Sequence, residues 1–311
     1  MIRECVVALV LLSAAQHAAG QDRPSRLGPR DIDALPSAPA DHRLAYGADS
    51  LHFGDLRLPD GPGPFPVAIV IHGGCWLGPF ATLHNTSAVS DALRGLGVAT
   101  WNVEYRRADH PGGGWPGTFQ DVAAAADHVR ELATRFPLDT TRLVALGHSA
   151  GGHLAFWLAA RHRLPPTSPL ASPDPVTLAG VISIGGPPDL AAFEGLDARV
   201  CGEPIVARLL GDASAVIGDR LADASPAARL PLGTPQRLLV GELDGVVPAE
   251  VALDYERRAR ALGDDVAYVS MGGAGHFEAL APTTEAWQVV VATVRELLDA
   301  RRPPPSARSR R

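Results

Sequence analysis

Apolar runs of strand length alternate with helix-like segments along most of this 311-residue chain. After a half-buried strand at 51–59, a continuous apolar run lies at 66–74, and further strand-like segments lie at 98–103, 142–147, 179–186, 235–245 and 266–270. Helix-like segments follow at 86–96, 118–136, after Ser149, at 249–262 and at 285–300. Continuous apolar strands are typical of a parallel sheet that is covered on both faces. The alternation therefore predicts an α/β fold with a mostly parallel sheet and helices on both faces.

One large α/β domain accounts for most of the length, and a second domain is not required. We predict that this domain spans 44–301. The segment 187–233 is less regular and holds several helix-like pieces, so we interpret it as an insertion that caps the sheet. Residues 21–43 lack periodicity and are rich in proline and charge, which predicts a mobile linker, and 302–311 are expected to form a disordered tail.

The first twenty residues have the layout of a secretory signal peptide. Arg3 precedes an apolar run at 6–12, and small residues follow as far as Gly20. We therefore expect export to the periplasm or the medium, with cleavage near Gly20; the alternative is an uncleaved amphipathic start. The apolar run is too short to span a bilayer comfortably, and no later stretch has the pattern of a membrane span, so we expect no membrane insertion.

The charge balance and the absence of one residue type exclude several classes of function. The formal net charge is −6, with 28 basic and 34 acidic residues, which favours neither nucleic acid nor anionic lipid as a partner. The chain contains no lysine. Ser-x-x-Lys acylases, pyridoxal Schiff bases and P-loop nucleotide sites all require the lysine amine, so they are excluded. The oligomeric state stays open.

Two cysteines remain once the presumed signal peptide, which carries Cys5, is set aside. In an oxidising compartment Cys75 and Cys201 could form a disulfide. Two separate buried thiols are the alternative, because sequence alone does not bring the two residues within bonding distance.

A serine lies between glycines where a strand meets a helix. Gly147-His148-Ser149-Ala150-Gly151 matches G-x-S-x-G and has the strand-turn-helix context that this motif requires. Such a turn lifts the serine hydroxyl clear of the carboxyl end of the strand, near the free amides of the helix. We therefore predict that Ser149 is a nucleophile rather than a structural serine.

A serine nucleophile needs a base, and the base needs a carboxylate that fixes its tautomer. His276 is the one histidine after His162, and it lies in a glycine-rich loop just beyond a strand. Asp244 follows the preceding buried strand, and Glu242, two residues earlier, is the rival carboxylate. We favour Asp244 because it lies beyond the strand end. The predicted triad is Ser149, Asp244 and His276, in the chain order expected for this architecture.

Paired glycines after the strand at 66–71 suggest how a developing oxyanion could be bound. In "IHGGCW" the backbone amides can turn inward without side chains intervening, so Gly74 and Cys75 are the predicted donors, together with the amide of Ala150. His72 could act as a second base, but hydrogen bonds that hold this loop are the favoured interpretation.

Other conspicuous residues allow a functional and a structural interpretation. Trp76, Trp115 and Phe193, and also Phe80, are candidates for the wall of an acyl pocket, although each also suits the core. Glu104 and Arg106 could contact a charged substrate, but an internal ion pair is favoured. No metal site is expected, because five candidate histidines lie on separate loops without ligand spacing: His72, His84, His110, His148 and His153.

From about residue 45 to 300 the chain resembles the α/β-hydrolase fold family, on its strand order, "GHSAG", Asp244, His276 and "HGG". The "HGGCW" form looks most like bacterial esterases and kynurenine-formamidase-like hydrolases of that family. This resemblance implies a serine hydrolase of small acyl esters or N-formyl amides that needs no cofactor. Cys75 replaces the glycine of hormone-sensitive-lipase-like enzymes, so their short-chain preference does not transfer. An arylformamidase, a small peptidase and a catalytically silent binding protein remain as alternatives.

Overall fold

The computed structural model describes residues 26–211 and 217–300 and contains one eight-stranded sheet. Its strands, in spatial order, are β1 (His42–Ala45), β2 (Phe53–Arg57), β4 (Ala99–Val103), β3 (Phe65–Ile71), β5 (Leu138–His148), β6 (Gly180–Ile184), β7 (Gln236–Gly241) and β8 (Val266–Met271). β1 pairs with β2 and β2 with β4 in antiparallel fashion, whereas all pairs from β4 to β8 are parallel. The predicted mostly parallel sheet is confirmed.

Helices connect the strands and cover both faces of the sheet. They are α1 (Pro29–Asp33), α2 (Ser87–Gly95), α3 (Gly117–Asp127), α4 (Val129–Arg135), α5 (Ala150–Ala160), α6 (Leu190–Phe193), α7 (Asp197–Cys201), α8 (Ile205–Leu210), α9 (Ile217–Ala224), α10 (Ala249–Ala261) and α11 (Glu285–Asp299). The predicted helix at 118–136 is two helices, since the chain breaks at His128. None of the described helices has both the length and the apolar character that crossing a membrane requires.

Alternate residues of the central strands pack into two separate cores. In β3, Val67, Ile69 and Ile71 contribute to one core, and Ala68 and Val70 contribute to the other. The first core contains the apolar residues of α3, α4, α5 and α10, and the second contains those of α2 and α11. Every residue of α5 is buried. Helix α5, which begins directly after Ser149, is therefore fixed at the centre of the molecule.

Parallel register brings the functional loops to one edge of the sheet. Ile71 of β3 pairs with Gly147 of β5, and His148 of β5 pairs with Ile184 of β6. On the other side of β6, β7 and β8 end together where Gly241 pairs with Met271. Ligands of open α/β sheets bind at this carboxyl edge, so the candidate residues that follow these strands meet there.

The segment 21–43 is not simply a linker. Its described part contains α1 and the first residues of β1, which pairs with β2. Ile32 is buried in the core beside α2, and the guanidinium of Arg26 donates a hydrogen bond to the Leu243 carbonyl oxygen at 2.8 Å. Buried Ile32 and hydrogen bonds such as that of Arg26 dock this segment, although it lacks periodicity. The predicted signal peptide at 1–20 and the predicted tail at 302–311 lie outside the described residues.

The predicted insertion at 187–233 consists, where described, of short helices after β6. Leu190, Phe193, Ile205 and Leu209 are all buried in the first core. The segment is therefore anchored to the sheet over much of its length, and only part of it is free to border a ligand. Residues 212–216, within the insertion, lie outside the described part of the chain.

Candidate active site

Ser149 occupies a sharp turn between β5 and α5. Its φ is 52° and its ψ is −120°, a conformation that L residues rarely adopt, and its amide donates to the Ile184 carbonyl oxygen at 2.8 Å. Strain of this kind persists only where the surrounding structure determines it, and it concentrates at functional sites. The neighbouring strand thus holds the predicted nucleophile in a strained turn at the sheet edge.

The two glycines that flank Ser149 permit close packing of backbone against backbone. A Cβ atom at Gly147 would lie 2.1 Å from the Gly151 carbonyl oxygen. At Gly151 it would lie 2.1 Å from the Ile71 carbonyl oxygen. Both distances are far shorter than any van der Waals contact, so the turn fits against β3 only with glycine at these positions.

His276 and Asp244 form a buried pair beyond β8 and β7. Nδ1 of His276 lies 2.8 Å from Oδ2 of Asp244, and the amides of Val246 and Val247 donate to Oδ1 of Asp244 at 2.8 and 3.2 Å. Burial alone raises the pKa of Asp244, but the hydrogen bond and charge of His276, with both amides, outweigh it and leave the pKa below its ordinary value. Asp244 therefore stays ionised and fixes the His276 ring with Nδ1 protonated.

The rival carboxylate, Glu242, does not face His276. It is exposed, and its Oε2 accepts a hydrogen bond from the Gly273 amide at 2.9 Å. A glycine that the motif analysis did not use, Gly185, makes room for the buried pair. A Cβ atom there would lie 3.0 Å from Oδ2 of Asp244 and 3.1 Å from the His276 ring. The paired glycines of "SIGGPP", at the end of the strand predicted at 179–186, could have indicated this close approach.

A cavity of about 230 Å³ brings the nucleophile, the base and the predicted oxyanion loop together. Ser149, His276, Gly74 and Cys75 all line it. Within the described residues, the amides of Gly74 and Cys75 have no hydrogen-bond acceptor, and the amide of Ala150 lies in the open first turn of α5. Three unengaged donors thus lie beside the serine, as stabilisation of an oxyanion requires.

A buried polar network holds the oxyanion loop. Nδ1 of His72 lies 2.9 Å from the Gly73 carbonyl oxygen, and Nε2 lies 2.9 Å from Oε1 of Glu104, which also pairs with Arg107. This arrangement agrees with the structural interpretation of His72. Glu104 and Arg106 each form an internal ion pair, but not with each other, because the Arg106 guanidinium binds Asp121 and Glu104 pairs with Arg107.

A disulfide joins the oxyanion loop to the insertion. Cys75 and Cys201 are bonded across 126 residues of sequence, as the sequence suggested. Cys75 has a φ of 52°, and Val200, the neighbour of Cys201, lines the cavity beside Ser149. The bridge therefore links a predicted oxyanion donor to one wall of the pocket.

His148 supports the loop that carries the base. It lies buried with its Nε2 2.9 Å from the His276 carbonyl oxygen, which can only accept, so Nε2 carries the proton. Burial, followed by the charge of His276, lowers the pKa of His148 to about 3. A ring with so low a pKa accepts protons poorly near neutral pH. His276, which lines the cavity and pairs with Asp244, is therefore the better candidate for the base.

Three of the four aromatic residues predicted for the acyl pocket do not line this cavity. Trp76 and Phe193 are buried in the first core, at 1% and 2% exposure, and Trp115 lies beside a different surface depression. These three aromatic side chains pack in or against the first core instead of lining the cavity. Phe80, 47% exposed, does line the cavity, as does Val200, one of the apolar residues of the insertion. Three further lining residues were not predicted from the sequence: Pro29, Val246 and Phe277. No local pattern marks them, because they come from three distant segments.

The histidines named as possible metal ligands are spread over separate contacts. His153, for example, donates from Nε2 to the Ala224 carbonyl oxygen at 2.9 Å. Among the residues that the structure describes, no group of three or more histidine, cysteine or acidic side chains has the arrangement of a metal site.

Solved structures share this architecture. A truncated carbohydrate esterase from gut microbiota superposes with a TM-score of 0.71 at 21% identity, over 85% of this chain and all of that one. Propionate-bound esterase 2 of Thermogutta terrifontis gives a TM-score of 0.65 at 20% identity, over 85% of this chain and 96% of that one. A bifunctional GH43-CE protein of Bacteroides eggerthii gives 0.66 at 23% identity, over 83% of this chain and 37% of that one. Such similarity shows a common α/β-hydrolase-like fold.

Sequence comparison assigns the family. No protein in a curated set matches the chain, but the BD-FAE family model matches residues 55–257, which is more than half of it. The matched region extends from β2 to α10 and includes Ser149 and Asp244. The chain therefore belongs to the BD-FAE family and is a carboxylic-ester hydrolase.

Proposed function

We propose that this protein hydrolyses esters of short carboxylic acids through an acyl-enzyme on Ser149, with His276 as general base and Asp244 as its carboxylate partner. One observation carries the proposal: His276, which pairs with Asp244 at 2.8 Å, lines the same cavity as the strained Ser149. A strained serine, an oriented imidazole and free amides together are the parts that acyl transfer needs.

In the first half-reaction, Oγ of Ser149 attacks the ester carbonyl carbon and transfers its proton to Nε2 of His276. The carbonyl oxygen becomes an oxyanion, which accepts hydrogen bonds from the amides of Gly74, Cys75 and Ala150. Asp244 stabilises the imidazolium that forms. His276 then protonates the alkoxy oxygen, the C–O bond breaks, the alcohol leaves and the acyl-enzyme remains.

In the second half-reaction, a water molecule replaces the alcohol. Its proton passes to Nε2 of His276 while its oxygen attacks the acyl carbon, and the oxyanion forms again at the same amides. Collapse of this intermediate breaks the bond to Oγ, and His276 returns the proton to Ser149. The carboxylic acid leaves, and the enzyme is restored.

The cavity favours a short acyl group. Its volume of about 230 Å³ is below the range of about 300–1,000 Å³ typical of pockets for drug-sized ligands. Apolar side chains, including Phe80, Val200 and Val246, line it. Propionate in Thermogutta terrifontis esterase 2 and the carbohydrate-esterase activity named for the gut relative support a short acid esterified to a sugar hydroxyl.

A substrate panel tests this proposal. We expect kcat/KM to be highest for 4-nitrophenyl acetate and propionate and for acetylated xylo-oligosaccharides, and to fall with octanoate and feruloyl esters. N-formylkynurenine and dipeptides represent the arylformamidase and peptidase alternatives. Higher kcat/KM for either of these than for every ester would overturn the proposal. The Ser149→Ala variant is the matched control for turnover at any other site.

Export is a separate proposal. It is supported by the Arg3 and apolar-run layout of residues 1–20 and by the Cys75–Cys201 disulfide, since disulfides persist mainly in oxidising compartments. Expression of the full chain in a bacterial host, with mass spectrometry of the periplasmic product, should yield an N-terminus near Gln21. Full-length protein confined to the cytoplasm would contradict it.

A further inference from the structure

The active-site cavity has few polar side chains besides those of the proposed triad. Among the described residues that line it, only Asn85 and His148 add polar side chains to Ser149 and His276. Nε2 of His148 already bonds the His276 carbonyl oxygen, and its Nδ1 is enclosed by protein. Outside the triad, Asn85 is therefore the described side chain that can still offer a polar atom to a bound ester.

Asn85 lies in the short 3₁₀ helix Leu83–Thr86 and is held in one orientation. Its main-chain amide donates to the Thr82 carbonyl oxygen at 3.0 Å. Its side-chain Nδ2 donates to Oδ1 of Asp33, the last residue of α1, at 3.3 Å. Because this contact uses the nitrogen of a planar carboxamide, the carboxamide oxygen is turned away from Asp33.

The carboxamide oxygen of Asn85 is left without a donor. No described residue donates a hydrogen bond to this Oδ1, and the atom keeps some accessible surface although Asn85 is only 4% exposed. Water or a donor on a ligand can satisfy such an acceptor. A ligand that displaces the water without supplying a donor leaves the oxygen unpaired, which lowers its affinity. The oxygen can therefore discriminate between ligands.

The rest of the cavity limits where the donor must lie. Most of the wall is apolar, with Phe80, Val200 and Val246 among its side chains. The volume of about 230 Å³ keeps any group at Asn85 close to the reacting carbonyl at Ser149. A ligand that reaches both residues therefore carries its donor within a few bonds of the ester group.

We propose that Asn85 determines specificity for esters that carry a hydroxyl group on a carbon next to the ester, in either the alcohol or the acyl part. The hydroxyl donates to Oδ1 of Asn85 while Ser149 attacks the carbonyl carbon. Asp33 is a positioning residue, since it sets which end of the carboxamide is free. This inference rests on the proposed function and narrows its substrate class. A partly acylated sugar and an ester of a 2-hydroxy acid both meet the requirement.

Two matched pairs of esters test the proposal, and in each pair a hydroxyl replaces a methyl group. 2-Hydroxyethyl acetate and propyl acetate vary the alcohol part, whereas methyl glycolate and methyl propanoate vary the acyl part. We compare the ratio of kcat/KM within each pair between wild type and Asn85→Leu, so that the intrinsic reactivity of the esters cancels. Asn85→Leu should lower this ratio by about tenfold in one pair, as expected for one hydrogen bond. The pair that responds shows which part carries the hydroxyl.

His84→Ala is the matched control. It removes a hydrogen bond of 3.1 Å from His84 Nε2 to the Asp33 carbonyl oxygen, on the same short helix, but His84 does not line the active-site cavity. Both ratios should therefore keep their wild-type values. If Asn85→Leu fails to fold, Asp33→Ala, at an exposed position, releases the carboxamide and should lower one of the two ratios instead.

Unchanged ratios for both pairs in Asn85→Leu, or in Asp33→Ala where that variant has to replace it, would overturn the proposal. An equal fall in His84→Ala would overturn it as well, because the docking of α1 would then set the preference. The proposed function has its own test in Ser149→Ala, which should not hydrolyse propyl acetate or methyl propanoate. Turnover in Ser149→Ala rejects the proposed function, whereas unchanged ratios with turnover that depends on Ser149 reject only the role of Asn85.

Discussion

The two sides of the active-site cavity are built in different ways. On the reactive side, Ser149, Asp244 and His276 follow β5, β7 and β8 within a few residues of the strand ends. On the acyl side, Pro29, Phe80, Val200 and Val246 come from four segments that only tertiary packing brings together. The sheet register therefore sets the geometry of the proposed triad, whereas long-range contacts set the shape of the proposed acyl pocket.

The forces that hold the two sides differ as well. Main-chain hydrogen bonds and backbone contacts fix the reactive side, such as the Ser149 amide on the Ile184 carbonyl oxygen. The acyl side depends on the Cys75–Cys201 bridge and on the docking of α1 through Ile32. Changes on the reactive side should therefore lower turnover for every ester, and changes on the acyl side should alter the preference among esters.

The largest effect is expected on the reactive side. Asp244→Asn should lower kcat by about 10⁴, as loss of the correct imidazole tautomer does in other triads. Glu242→Gln, two residues away, should lower kcat less than twofold, because Glu242 contacts Gly273 and not His276. Steady-state kinetics on 4-nitrophenyl acetate measures kcat for both variants. The reverse ranking would move the carboxylate role to Glu242.

From the sequence we could predict which residues meet at the sheet edge, but not most of the residues that line the cavity beside them, for one physical reason. The two glycines of "GHSAG" are required because the backbone of the turn packs closely on itself and on β3. The motif therefore predicts the local backbone geometry without knowledge of the rest of the fold. Phe193 and Phe80 have the same side chain, but the core buries one and the cavity exposes the other. Whether such a side chain is buried depends on which distant helices and strands pack against it, and a local sequence pattern does not show this. The docking of α1 was not predicted for the same reason.

An intermediate effect is expected where the two sides are joined. In a Cys75→Ala/Cys201→Ala variant, kcat should fall on the order of tenfold, less than the 10²–10³ that follows loss of an oxyanion donor. The loop keeps its His72–Glu104 support but loses its link to the insertion. Reductant should produce a similar fall in wild type and none in the variant. Full activity of reduced wild type would show that the bridge does not position the donors.

An effect on substrate preference rather than on overall turnover is expected on the acyl side. Val200→Phe should lower kcat/KM for the propionate ester relative to the acetate ester by roughly tenfold, the lower end for one poorly fitting group in a pocket. Phe193→Ala should leave that ratio unchanged and instead destabilise the fold by about 3–5 kcal/mol, because a buried aromatic ring is removed. Ester kinetics and urea unfolding measure the two effects. A changed ratio in Phe193→Ala would restore the role first predicted for it.

Outside the pocket we expect a pH dependence of stability and no change in substrate preference. Burial lowers the pKa of His153 to about 4 from its ordinary 6.5, although the Ala224 carbonyl oxygen partly offsets this. Between these values the unfolded chain binds more protons, so the free energy of unfolding should fall as pH falls from about 6.5 to about 4. His153→Gln should show a shallower fall over this window, whereas the exposed His162→Gln should follow wild type. Parallel slopes in all three proteins would contradict the assignment.

The central claim is that the strained Ser149 is the activated nucleophile, and covalent labelling tests it most directly. Treatment of the folded protein with a fluorophosphonate, followed by peptide mass spectrometry, should place one adduct on Ser149. The rate of labelling should fall steeply in His276→Ala and in Asp244→Asn and should be normal in Glu242→Gln. Labelling of a different serine, or unchanged labelling of Ser149 in His276→Ala, would contradict the account.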